Sequence, residues 1–174
     1  SGMNSVCAVA PGVLGITGIE SMELVEALVK AIAPRAILCV DSLAARDSRR
    51  IGCTIQISNT GIQPGSGVGN HRKALTEDTL GVKVIGLGVP MVIYAPSIAR
   101  DALARLPELD DADPAALDAI AGSLHDSDLG QMIVTPREVD ELVLDVAAVL
   151  GSGINQALQP DLSLREISEF MLRG

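Results

Sequence analysis

A chain of 174 residues is long enough to bury a core without metals or disulfides as staples. Its formal charge of −9 at pH 7 argues against direct binding of a nucleic-acid backbone, which requires clustered Lys and Arg. Hydrophobic residues make up 48% of the chain and aromatic ones 1%, so the core must be aliphatic and the aromatic anchors common at protein interfaces are nearly absent.

In chain order, residues 6–10 (VCAVA) form an apolar run of strand type that breaks at Pro11-Gly12. The next stretch, GVLGITG, spaces its glycines as G-x-x-G-x-x-G, whereas a dinucleotide loop needs G-x-G-x-x-G. Residues 20–33 repeat Met22, Val25, Leu28, Val29 and Ile32 at three- and four-residue intervals, which predicts an amphipathic helix ended by Pro34. Residues 36–40 (AILCV) read as a buried strand, completing a βαβ unit with a parallel pair. Residues 54–58 alternate as a half-buried strand, and residues 84–89 form a central one that stops at Pro90. After Tyr94 the pattern predicts helices over 97–106, 114–124, 136–158 and 162–172, with PELDDADP as an acidic surface connection.

No repeat divides the chain, so residues 1–174 read as a single α/β domain, a three-layer α/β/α sandwich around a mostly parallel or mixed sheet. No apolar stretch reaches the roughly 18 to 20 residues of a spanning helix, and no signal peptide is visible, so an unexported cytoplasmic protein is expected. Cys7, Cys39 and Cys53 are odd in number and lack C-x-x-C spacing, which predicts reduced core thiols.

Two segments carry candidate chemistry. Asp41 follows the apolar run 36–40, at the carboxyl end of a strand, where ligands of open α/β sheets bind. Either it caps a helix begun by residues 42–46, or it is one of a pair of carboxylates that activate water. The second segment, GIQPGSGVGNHRK, places Gly65, Ser66, Gly67, Gly69 and Asn70 beside Arg72 and Lys73. Its backbone N–H groups suit an anion or a substrate carbonyl, unless its glycines merely permit turns. Asn70 falls where a phosphate loop needs glycine, His71 and His125 lie too far apart in sequence for a metal site, and no G-x-S-x-G elbow occurs.

The stretches PGVLGITGIES, VDSLAAR, TIQISNTGIQPGSGVGNHRKALTEDTLGVKVIGLGVP and MIVTPREVDELV together resemble the germination proteases of spore-forming Firmicutes, over about residues 6–158. The resemblance implies a central sheet between helices, similar to hydrogenase-maturation proteases, and an atypical aspartic-type endopeptidase without metal or other cofactor. It implies small acid-soluble spore proteins as substrates during germination, a homotetramer, no nucleic-acid or membrane partner, and location in the spore core. By resemblance Asp41 is one of two catalytic aspartates, and the residues from Gly65 to Lys73 help hold substrate. The family's other aspartate lies upstream, in a segment without a counterpart in these residues, so this polypeptide is expected to be inactive. Gln63 stands where the family commonly has histidine, and Asn59 where it has aspartate. The alternative from another class is a non-catalytic interaction or ligand-binding protein on the same fold.

Overall fold

The computed structural model describes residues 3–12, 20–64, 73–107 and 113–171. They divide into two compact units, Pro11–Arg137 and Ser1–Ala10 with Glu138–Gly174.

The larger unit is mixed α/β. Helix α1 (Ser21–Ile32) ends where the spacing predicts, with Ala33 at φ 48° closing its last turn and Pro34 unable to extend it. A four-stranded mixed sheet follows. Its strands are β1 (Ala36–Ala45), β2 (Gln56–Ser58), β3 (Lys83–Tyr94) and β4 (Ile133–Val134). The order is β1-β3-β2, with β4 also on β3; β1 runs parallel to β3, while β2 and β4 run antiparallel to it.

Two strands outrun their predicted ends. Residues 42–45 continue β1 instead of starting a helix, and β3 passes through Pro90 to Tyr94. Both differences have one cause, a β-bulge. Leu43 pairs with Pro90 and Ala44 with Val92, so Met91 is the extra residue, and a bulge is where a strand tolerates a proline that cannot donate to the ladder. The other edge of β3 is occupied there too. Gly52 N–H donates to Pro90 O at 2.8 Å, Thr135 Oγ1 donates to Met91 O at 3.1 Å, and β4 takes the last two residues.

Val84, Leu87, Val89, Met91 and Ile93 put β3 at the centre of the buried core. The short helix α2 (Glu77–Leu80) leads into β3 through a reciprocal Thr76–Thr79 capping box. Helix α3 (Ala95–Leu103) follows it with Pro96 in its first turn, and packs on α4 (Pro114–His125). An Arg100–Asp118 ion pair joins these two helices, and Asp113 caps α4 by accepting from Ala115 N–H at 2.9 Å.

In the smaller unit, residues 3–10 have no regular structure, so the predicted strand over 6–10 does not form and β1 takes β3 as its parallel partner. The backbone of Asn4 bonds instead to the Gln159 carboxamide, donating to Oε1 and accepting from Nε2, both at 2.8 Å. Helix α5 (Val139–Leu158) packs on α6 (Leu164–Met171), which a Ser163–Glu166 capping box opens. By length and composition alone α5, at 20 residues, could cross a membrane, which corrects the expectation that no apolar stretch of this chain is long enough to span one. Asp140, Glu141 and Asp145 in its first two turns are costly in hydrocarbon.

Cys7 and Cys53 are exposed and Cys39 is half-buried, so the thiols are unpaired but are not core residues as predicted. Cys7 lies in the irregular segment and Cys53 in a turn, outside the strands that would have buried them.

Candidate functional site

Strand alternation places Cys39, Asp41 and Leu43 on one face of β1. Their register partners on β3 are Gly86, Gly88 and Pro90, and β2 adds Ser58 opposite Gly86 and Gln56 opposite Gly88. Three rows therefore lie side by side: Cys39–Gly86–Ser58, Asp41–Gly88–Gln56, and Leu43–Pro90. Rows of this kind are about 6.7 Å apart along the strand.

The two glycines are needed because each row is covered. A Cβ at Gly86 would sit 2.8 Å from the carbonyl oxygen of Gly61, and a Cβ at Gly88 would overlap the Leu43 Cδ1 methyl. Gly61 begins the glycine-rich segment, so the root of that segment rests over the row next to Asp41. There Ile62 and Leu75 exchange two backbone hydrogen bonds of 3.0 and 2.8 Å. Gly61 holds φ 84°, where a Cβ would overlap Leu75 O, so no other residue fits at this root.

Beyond the Asp41 row, on the other side, lies a cavity of about 400 Å³ lined by Leu43, Ala44, Ala45, Arg46, Arg50, Gln56 and Pro90. Asp41 thus stands between the root of the loop and a polar hollow.

Asp41 sits in mid-strand, half-buried, and its Oδ1 accepts from the N–H of Ser42 at 2.9 Å. That contact reaches only the next residue, and with residues 42–45 extended, the helix-capping role does not exist. Aspartate is disfavoured inside strands, so its presence here breaks a local rule in the way functional positions do. Its charge is felt nearby: the Cys39 thiol titrates above its ordinary value, chiefly through burial and secondarily through the Asp41 carboxylate.

Of the predicted substrate-side residues, Lys73 is exposed two positions before Leu75. Gly65, Ser66, Gly67, Gly69, Asn70 and Arg72 lie outside the described residues, as does His71. His125 stacks edge-on to Tyr94, with ring centroids 6.1 Å apart. Among the described residues no three His, Cys, Asp or Glu side chains converge as metal ligands.

Arg46, Arg50 and Gln56 belong to no motif in the sequence: Arg46 and Arg50 follow directly on β1, and Gln56 is brought to the same cavity through β3. One signal was legible: the alternate glycines of Gly86-Leu87-Gly88 share a face, which inside a strand marks the close approach of another group.

A family model described as germination protease matches residues 1–107, a span that contains Asp41, both covered glycines and the cavity. The chain belongs to the germination protease family. Germination proteases of Clostridium perfringens (strain 13 / Type A) and Clostridium acetobutylicum are 44% and 43% identical to it, over 95% and 98% of its length. That of Bacillus subtilis (strain 168) is 37% identical over 93%. The chain covers 56 to 57% of the length of these germination proteases, so it spans little more than half of each relative it matches.

Proposed function

We propose that these residues belong to an endopeptidase that degrades small acid-soluble spore proteins during germination, with Asp41 as one of two carboxylates that activate water. The observation that carries this reading is the position of Asp41, in register with Gly88 between the loop root and the cavity, within the stretch that matches the family. An ionised Asp41 takes a proton from water as the water oxygen attacks the scissile carbonyl carbon. The second carboxylic acid then protonates the leaving amine as the C–N bond breaks.

In this reading the segment from Gly65 to Lys73 holds substrate backbone, the reaction needs no metal, and the protein works as a homo-oligomer in the cytoplasm of the spore core, without nucleic acid or membrane. Residues 1–174 form one domain of a three-layer α/β/α sandwich similar to hydrogenase-maturation proteases.

A second reading, an interaction module without catalysis, draws support from the uncovered apolar side chains of α5, with Leu144 70% and Val149 62% exposed. Cleavage of purified small acid-soluble spore proteins separates the two. The native gene product carrying these residues should cleave them, and its Asp41→Asn form should not. Absence of cleavage by the native product would favour the interaction module.

A further inference from the structure

We propose that a second cavity, between α3, the end of the sheet and the turn after β1, binds a free aliphatic amino acid, with Asp101 holding its ammonium and Arg105 its carboxylate. This cavity has a volume of about 300 Å³, lies within the larger unit, and shares no lining residue with the one beside Asp41. The inference goes beyond the peptidase reading and does not depend on it.

Branched aliphatic side chains from four segments form its apolar wall: Ile51 after the turn, Ile93 of β3, Ile98 of α3 and Val134 of β4. The backbone fixes them relative to one another. Ala95 N–H, at the start of α3, donates to Met132 O at 3.0 Å, and β4 pairs with the end of β3. Ser48 opens the 3-10 turn Ser48–Arg50 and reaches the same space from the opposite side.

Two opposite charges line this wall without meeting. Asp101 is only 8% exposed, and its Oδ2 accepts from Ser48 N–H at 2.7 Å. Arg105 Nη2 donates to the Oγ of the same serine at 3.0 Å. Asp101 and Arg105 form no ion pair with each other, so Ser48 holds both at one spot and keeps them apart.

Each charge also has capacity to spare. Among the described residues Asp101 Oδ1 accepts no hydrogen bond, and the cation within 4 Å of it is Arg100 Nη1 at 3.8 Å, whose guanidinium is engaged by Asp118. Arg105 forms no ion pair among the described residues, and the nearby Asp47 is already held by Arg49. A buried carboxylate oxygen without a donor is costly, and an N–H from a ligand removes that cost.

The ligand class follows by elimination. An alkylamine would satisfy Asp101 and leave the guanidinium unused, and a fatty acid would do the reverse. A free amino acid carries both groups on one carbon, so it can bridge Asp101 and Arg105 while its side chain covers the aliphatic wall. In a peptide the two groups belong to different residues. The volume stands at the low end of the roughly 300–1,000 Å³ of small-molecule sites, which suits a single residue.

Isothermal titration calorimetry of the native gene product tests this with L-leucine, with 4-methylpentanoate, which lacks the ammonium, and with 3-methylbutylamine, which lacks the carboxylate. L-Leucine should bind at least about tenfold more tightly than either. Arg105→Gln should bring leucine and the amine within about twofold of each other, and Arg105→Lys should keep part of the preference. Asp101→Asn should do the same for leucine and 4-methylpentanoate. The comparison of the three ligands on the unmodified protein decides the matter if Asp101→Asn does not fold. No binding of leucine, equal binding of all three, or a preference unchanged in Arg105→Gln overturns the proposal. So does equal binding of leucylglycine, since the site would then take peptide ends. Because binding is read without cleavage, failure of this proposal or of the peptidase reading leaves the other standing.

Discussion

Asp41 stands in register with Gly88, and Leu43, two residues further along the same strand, lays its side chain over that glycine. The floor next to the carboxylate is thus a backbone roofed by one mobile isobutyl group. Gly88→Ala would force that group to swing aside, a shift within the roughly 1–3 kcal/mol range of overpacked sites. Leu43→Ala should relieve much of the loss. The double variant should unfold in urea at a midpoint closer to wild type than the sum of the single effects.

Gly86→Ala meets backbone instead, the carbonyl of Gly61, which a rotamer change cannot move. It should destabilise more than Gly88→Ala, and replacing Leu43 should not rescue it. Chemical denaturation of the two alanine variants in parallel reads the difference.

Gly61→Ala combines positive φ with a direct overlap on Leu75 O. A cost of about 2 kcal/mol or more is expected, paired with release of the Ile62–Leu75 bridge. Limited proteolysis should cut between residues 62 and 75 faster in this variant than in wild type.

The Cys39 thiol is held above its ordinary pKa by burial first and by the negative charge of Asp41 second. Asp41→Asn removes the second cause, so the pKa falls, the thiolate fraction at pH 8 rises, and iodoacetamide should alkylate Cys39 faster. The remaining burial should keep it slower than exposed Cys7 and Cys53. Unchanged alkylation in Asp41→Asn would show that the carboxylate does not face the thiol.

Glu166 has its pKa lowered in the folded state by hydrogen bonds from the Ser163 side chain and backbone. Its contribution is therefore complete above the ordinary glutamate value of 4.5 and is lost as pH falls through the lower, folded value. Glu166→Gln should lower the melting temperature near neutral pH and matter progressively less on acidification.

Much of the architecture was legible where local chemistry decides it. Helix α1 has an apolar stripe and Pro34 behind it, and α4 has Asp113 and Pro114 at its start, so both appear within a residue of their predicted bounds. Strand β1 was cut short because Asp41, Ser42 and the alanines around Leu43 are poor strand formers. Only the length of β3 supplies the ladder that keeps them extended. Pro90 read as a stop because a proline in a strand is harmless only at a bulge, and the bulge is a property of the pair. The apolar run 6–10 resembles a strand equally well, but a strand exists only where an edge accepts it.

Asp41 could be named from its place after an apolar run, while its surroundings could not. Gln56 reaches the same cavity as Leu43 from a strand that meets β1 only through β3, and no spacing in the sequence encodes that meeting. The charge of Lys73 beside glycines is visible in the sequence, and the fold adds that it lies near a clamped end of the segment.

The Ile62–Leu75 clamp makes the stretch between those residues a closed ring hung from the sheet. The entropic penalty of enlarging such a ring grows only logarithmically, about 0.6 kcal/mol for each doubling of its length. Residues can therefore be added, deleted or exchanged inside it with little strain passed to the Asp41 row. Length can thus vary there without moving the strands, whereas exchange of the residues from Gly65 to Lys73 would still remove the substrate contacts proposed for them.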